Sequence, residues 1–295
     1  RSLREKFLTL PDYVQVWPGH GAGSACGKAL GAVPSSTVGY ERLFSWWGRY
    51  VERNDEERFV EALLEGQPDA PVYFGRMKHQ NRSGPALLGE RPALRRYEPL
   101  EMQEKLQAGE IVFVDTRDQE AHAEGSVPGA LYVPAGTSFA TWAPWIIDPE
   151  GEERPIVVLA RDGADAYELR DKLARVGIDN VAGYVTSFEG VEKEPVPTVT
   201  PDKLEDAGEV FVLDVREKGE HEAGHIPGST QLYGGRVMWR LDELPRDRTI
   251  VIHCQTGSRS AVVASGLRAA GFGAVVELEG SYEGWVKAQT RTVKA

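Results

Sequence analysis

Cys254-Gln-Thr-Gly257-Ser-Arg259 gathers a nucleophile, a residue without a side chain and a permanent cation into one short segment. The apolar run Thr249–His253 precedes it, and an Ala/Val-rich stretch suited to a helix follows from about Ser258. A strand that runs through a loop into a helix leaves backbone N–H groups aimed at whatever the loop surrounds, and their partial positive charge favours an anion. A thiolate suits that place. Such settings lower a thiol pKa from about 8.5 and leave a nucleophile able to attack electrophilic sulfur. Gly257 lets the backbone curl around the sulfur, and Arg259 adds full charge with a planar fork of donors. The amides of Gln255, Thr256, Gly257 and Ser258 complete the expected cradle for an anionic substrate. A buried cysteine that merely ended a core strand would need neither the glycine nor the arginine.

Three other patterns invite chemistry and fail on geometry. His221-Glu-Ala-Gly-His225 matches a zinc-protease motif, which requires both histidines on one helical face, but Gly224 and Pro227 break that helix. The glycines at 19, 21, 23 and 27 do not fall at dinucleotide-binding spacing. His253 precedes the nucleophile on a strand, so its side chain starts toward the opposite face and is read as structural. Arg236 and Arg240 are candidates for recognising an anionic donor.

The elements that must position the cysteine loop occur twice. Glu110-Ile-Val-Phe-Val-Asp115-Thr-Arg117 matches Glu209-Val-Phe-Val-Leu-Asp214-Val-Arg216, and Gly125-Ser-Val-Pro-Gly129 matches Gly224-His-Ile-Pro-Gly228. Farther on, Arg154–Ala160 matches Arg248–Cys254 with a shorter offset, which places five extra residues of the first copy in the Gly/Pro-rich stretch 134–153. Each copy reads as a short acidic helix after Pro99 or Pro201, a β-branched strand ending in Asp-x-Arg, and a second apolar strand. An Ala/Leu-rich helix closed by Gly177 or Gly271 and a third strand complete it. Alternating strands and helices predict an α/β fold with a central parallel sheet covered on both faces. The boundary between copies is the proline-rich Glu194–Pro201. The first copy has Ala160-Arg-Asp-Gly-Ala-Asp165 where the second has Cys254–Arg259, so it lacks the nucleophile and carries an acid in place of the arginine.

These features resemble the rhodanese (sulfurtransferase) family. The likeness is carried by Asp214-Val-Arg216, Gly224-His-Ile-Pro-Gly228, the Cys254–Arg259 loop and Leu278-Glu-Gly-Ser-Tyr-Glu-Gly-Trp285, and it covers both copies. It implies that Cys254 takes a sulfane sulfur from thiosulfate or a small persulfide and passes it to a thiophilic acceptor, without a cofactor. Arg259 and the loop amides would stabilise the persulfide, and the first copy would be a packing or docking module. Cysteine-dependent phosphatases use a longer Cys-to-Arg loop around a tetrahedral phosphate, which makes that activity the lesser alternative.

Residues 1–95 are of another kind. Leu3–Leu10 reads as the end of a helix, Tyr13–Trp17 as a short strand, and 38–51 and 55–66 as helical. One strand cannot close a sheet. Val14-Gln-Val-Trp-Pro-Gly-His20-Gly-Ala-Gly, Cys26-Gly-Lys and Thr37-Val-Gly-Tyr-Glu41 resemble the C-terminal part of metallo-β-lactamase-fold proteins, most nearly persulfide dioxygenases and their bacterial fusions to rhodanese domains. By that resemblance His20 is a ligand of iron or zinc in an intact parent, of which this chain is a truncated portion. The family's upstream His-x-His-x-Asp-His cluster does not occur among the six histidines. A thioester hydrolase similar to glyoxalase II, bearing a rhodanese scaffold or redox sensor, is the competing reading. Cys26 is expected to be a loop thiol, and Tyr73, Phe74 and Met77 are expected to pack against a neighbour.

The expected domains are thus 1–95, 96–196 and 197–295. A length of 295 residues accommodates two domains of about 150 residues, or three if one is incomplete. A net charge of −11 repels polyanions, which argues against nucleic acid or an anionic membrane as partner. The expected partners are small sulfur donors, thiol acceptors and a second copy in a homodimer. Two cysteines so far apart offer no disulfide framework, which points to a reducing, cytoplasmic setting.

Overall fold

The computed structural model describes residues 1–17, 35–85, 87–204 and 208–292, in two compact units, Arg1–Asp69 and Ala70–Ala295. In the first, a π-helical turn (Leu3–Phe7) precedes β1 (Gln15–Val16), which pairs antiparallel with β2 (Ser36–Thr37). Helices α1 (Val38–Phe44), α2 (Gly48–Glu52) and α3 (Glu56–Leu64) follow. Thr37 and Asp55 accept N–H bonds in the first turns of α1 and α3, the usual task of such side chains at a helix start. A two-strand ladder of two residues each leaves Tyr13, Leu43 and Phe44 exposed.

The second unit holds both copies and, ahead of them, α4 (Tyr73–Ser83). Tyr73 is buried and Met77 packs on the core as expected, but Phe74 is exposed. Arg76 donates to the carbonyls of Val176 and Gly177. The first copy continues through β3 (Arg95–Arg96), α5 (Pro99–Gln107), β4 (Val112–Asp115), α6 (Gln119–Ala123) and β5 (Leu131–Tyr132). It ends with α7 (Phe139–Ile146), β6 (Ile156–Leu159), α8 (Gly163–Ala174) and β7 (Val181–Val185). The second runs through β8 (Thr198–Val199), α9 (Pro201–Leu204), β9 (Phe211–Asp214), α10 (Lys218–Ala223), β10 (Thr230–Gln231) and α11 (Gly234–Val237). A 3₁₀ turn (Leu241–Glu243), β11 (Ile250–His253), α12 (Ser258–Ala269), β12 (Val275–Leu278) and α13 (Ser281–Thr292) complete it.

The two sheets share one strand order, β3-β7-β6-β4-β5 and β8-β12-β11-β9-β10, and every pairing is parallel. All four residues of β4 and of β11 are buried, as covered parallel strands require. Pro99 opens α5 where its missing N–H costs nothing, and Gly177 and Gly271 end their helices with φ of 80° and 82°. In the register of the second sheet His253 lies beside Asp214, which brings the cysteine strand next to the Asp-x-Arg strand.

The stretch 134–153, read as a Gly/Pro-rich insertion, contains α7. Pro144 lies inside it, and Phe139, Ala143, Trp145 and Ile146 are buried. The helix joins the copies: the Trp145 ring meets Tyr233 at 5.3 Å, and a Cβ on Gly266 would strike Ile146. Across the same seam the Tyr132 N–H donates to Ser265 Oγ at 2.9 Å. One contiguous cluster of buried side chains therefore runs through both copies, from Val114 and Phe139 to Leu213, Val263 and Leu267. No helix among the described residues is long and apolar enough to cross a membrane.

Candidate active site

Strand β11 delivers Cys254 to a turn that ends where α12 begins. Gly257 adopts a left-handed conformation (φ 113°) that turns its N–H onto Cys254 Sγ at 3.2 Å. A side chain there would be strained, which is the reason for glycine at this position. The Ser260 hydroxyl lies 3.6 Å from the same sulfur and also donates to the Gly257 carbonyl. The cysteine is 1% exposed, yet its sulfur faces donors rather than hydrocarbon alone. On the outer side of the turn Thr256 is exposed, and Gln255 and Ser258 are half-buried.

A second helix grips the turn. The Cys254 N–H donates to Ser281 Oγ at 3.3 Å, the Cys254 carbonyl accepts the Tyr282 N–H at 3.1 Å, and the Gln255 carbonyl accepts the Glu283 N–H at 3.2 Å. The first N–H groups of a helix have no partner within it, and here the loop carbonyls satisfy two of them. Ser281 is fully buried at φ 52°. Sequence reasoning assigned it no role. Its signal was the Gly-Ser-Tyr-Glu-Gly stretch after β12, where Gly280 also has positive φ (65°).

Arg259 has a carboxylate partner that the sequence did not disclose: its guanidinium forms a two-pronged bond with Glu220, Nη1 to Oε2 at 2.7 Å and Nη2 to Oε1 at 2.8 Å. A planar fork matches a carboxylate better than a single sulfur atom. The bond to Glu220, and after it the nearby Cys254, hold the guanidinium pKa above its ordinary value. Arg259 in turn holds the Glu220 carboxyl below its ordinary 4.5. Glu220 also accepts the Glu217 N–H at 3.1 Å, in the reciprocal cap that starts α10. The arginine thus braces the loop against α10 and contributes its charge from one side.

Beneath the loop lies a second charged cluster. Arg216 binds Asp214 through Nε–Oδ1 (3.0 Å) and Nη2–Oδ2 (2.7 Å), donates to the Gly224 carbonyl and to Gln255 Oε1, and stacks over the Tyr282 ring. Burial pushes the Asp214 carboxyl up, but bonds from Arg216, the neighbouring His253 and His221 outweigh it and leave the pKa lowered. His221 Nδ1 lies 2.9 Å from Asp214 Oδ2, and α10 ends at Ala223, so His225 falls outside the helix that the protease motif requires. Burial pushes the His253 imidazole pKa down, and its Nδ1 lies 3.2 Å from the Cys254 carbonyl oxygen. Arg236 donates to the Ala70 carbonyl and Arg240 pairs with Glu243, which engages both candidates for anion recognition elsewhere.

The corresponding loop of the first copy binds two of its amides to its own carboxylates. Asp165 Oδ2 accepts the Arg161 N–H at 2.9 Å, its Oδ1 accepts the Arg161 guanidinium at 2.7 Å, and Asp162 Oδ1 accepts the Asp165 N–H at 2.8 Å. The buttress below is unchanged, with Arg117 on Asp115 at 3.0 and 2.7 Å and over the Phe188 ring. A cavity of about 670 Å³ opens there, lined by Arg117, Asp118, Arg161, Asp165, Thr186 and Phe188 among others. His20 and Cys26 lie outside the described residues, and no group of three or more potential metal ligands occurs among those described.

Comparison with known proteins accords with this geometry. The chain is 34% identical over 85 residues to a sulfurtransferase of Allochromatium vinosum, which takes in 29% of this chain and 79% of that protein. It is 27% identical over 180 residues to a probable adenylyltransferase/sulfurtransferase MoeZ of Mycobacterium tuberculosis, covering 56% of this chain and 46% of the relative. Among solved structures, a metallo-beta-lactamase from Staphylococcus aureus aligns with 60% of this chain and 47% of its own at 31% identity, with a TM-score of 0.45. The model of the rhodanese-like domain matches twice, at residues 98–194 and 200–288. With two matching sheets and a cysteine turn in the second, the chain belongs to the rhodanese-like domain family.

Proposed function

We propose that the chain is a sulfurtransferase that carries sulfane sulfur on Cys254. The observation that bears most of this reading is the Gly257 N–H pointed at Cys254 Sγ from the N-terminus of α12, which favours negative charge on that sulfur. With thiosulfate as donor, the Cys254 thiolate attacks the sulfane sulfur. The bond between the two donor sulfurs breaks, sulfite leaves with its electron pair, and Cys254 is left as a persulfide anion. Cyanide or a thiolate then attacks the outer sulfur, the S–S bond breaks, and the pair returns to Cys254. No net oxidant or proton is consumed with cyanide as acceptor. The donors and acceptors are small molecules that reach the sulfur past Gln255, Thr256 and Ser258.

The first copy, with alanine at position 160, has no atom to hold the transferred sulfur and serves as a packing module. For residues 1–95 the reading remains a resemblance to the C-terminal part of metallo-β-lactamase-fold proteins, with persulfide oxidation or thioester hydrolysis as the chemistry it would bring. The described residues do not supply a ligand set for iron or zinc, so no step is assigned to a metal. The test is thiocyanate formation from thiosulfate and cyanide, with mass spectrometry of the Cys254 peptide. The wild type is expected to turn over and to show a one-sulfur adduct, and Cys254→Ser to lose both. Equal, background rates in the two proteins would defeat the proposal.

A further inference from the structure

The turn that holds Cys254 is touched by the copy that has no cysteine. Asp118 caps α6 by accepting the Ala121 N–H at 2.8 Å, which fixes the first helical residue, Gln119. Gln119 Oε1 accepts the Ser258 hydroxyl at 2.7 Å, and its Nε2 lies so near Gly257 that a Cβ there would collide with it. Gly257 is the residue whose N–H meets the sulfur, and it holds a left-handed conformation that needs support from its surroundings. Within the second copy the turn is braced by Glu220 through Arg259 and by Ser281 through the Cys254 N–H. Gln119 braces the remaining side, over the peptide that carries the sulfur-facing amide. The repeat does not supply this contact from within the second copy, where Lys218 stands in the place of Gln119 and faces Glu222 at 3.5 Å.

We infer that Gln119 is a positioning residue for sulfur transfer at Cys254, so that the first copy takes part in the chemistry by orienting the Gly257 amide. The inference rests on the proposed sulfurtransferase reading. It concerns the thiolate that displaces sulfite and gains one sulfur, because the charge of that thiolate sits on the sulfur that the Gly257 amide faces.

The test is a double-mutant cycle in the full chain, with Gln119→Ala, Ser258→Ala and the pair, read by steady-state kinetics with thiosulfate and by the rate of one-sulfur uptake on Cys254. Each single change is expected to lower kcat about fivefold, the size of one neutral hydrogen bond, with KM for thiosulfate within about twofold. The double variant is expected to be no worse than either single one, because both remove the same contact. Gln119→Glu keeps an acceptor for Ser258 and is expected to retain the melting temperature of the wild type. Additive losses, an unchanged kcat, or a loss confined to KM would overturn the inference. If the wild type itself fails to transfer sulfur, the sulfurtransferase reading falls first. The same cycle read by iodoacetamide alkylation of Cys254 then decides whether Gln119 and Ser258 act as a unit on that sulfur, and additivity there overturns the positioning role.

Discussion

The two loops at 160–165 and 254–259 sit on nearly identical supports and hold different things. In both, an Asp-x-Arg pair below the loop has the same geometry, 3.0 Å from Nε and 2.7 Å from Nη2 to the carboxylate. In both, the arginine stacks on an aromatic ring, Phe188 or Tyr282. What differs is the occupant. The second loop turns an amide and a hydroxyl onto a sulfur, whereas the first turns its amides onto Asp162 and Asp165. Two amides of the first loop are thereby committed to its own carboxylates, which set negative charge where the second copy would receive an anion. The same scaffold thus supports a loop with a nucleophile and a loop with two carboxylates instead.

Transplanting the second loop onto the first would test this account most severely. With Cys254→Ser as background, Ala160→Cys alone is expected to give no thiocyanate, because Asp162 and Asp165 still hold two loop amides and repel an anionic donor. Adding Asp162→Thr, Asp165→Arg and Ala121→Glu, which restores a partner at the place of Glu220, is expected to yield one-sulfur uptake at position 160 by mass spectrometry. Activity from Ala160→Cys by itself would show that the carboxylates do not silence the loop.

A smaller effect is expected at Glu220. Since Arg259 lowers its pKa, the pair's contribution to stability is complete above the ordinary carboxyl value of 4.5 and is lost as the pH falls through the lowered folded value. Partial exposure limits that contribution to about 1 kcal/mol. Glu220→Gln should therefore flatten the acid side of the melting-temperature profile and slow sulfur transfer several-fold at neutral pH. An unchanged acid limb would remove Glu220 from the account. The smallest change is expected from Ser281→Gly, which keeps the positive φ but removes the acceptor of the Cys254 N–H. A loss of about 1 kcal/mol in chemical denaturation, with modest slowing of transfer, would place Ser281 as a brace rather than a catalyst.

The repeat, the parallel sheets and the cysteine turn were legible because each is written in local pattern: β-branched runs, helix-closing glycines, and Cys, Gly and Arg within one turn. The partners of that turn were not. Glu220 lies 39 positions from Arg259, Ser281 lies 27 from Cys254, and Gln119 lies 139 from Ser258, and nothing in the spacing of residues encodes such pairings. The charge of Arg259 can be read from the sequence, but the Glu220 carboxylate that folding brings to it cannot. Helix α7 was hidden by Pro144 and the flanking glycines and prolines, which are poor helix signals that burial of Phe139, Trp145 and Ile146 overrides.

The buried cluster that passes without a break through both sheets ties their fates together. A duplicate joined by an open linker could decay once its chemistry was gone, but here Trp145 and Ile146 fill space against Tyr233 and Gly266 of the working copy. Damage to the interior of the first copy would consequently surface as a defect around Cys254, some distance away.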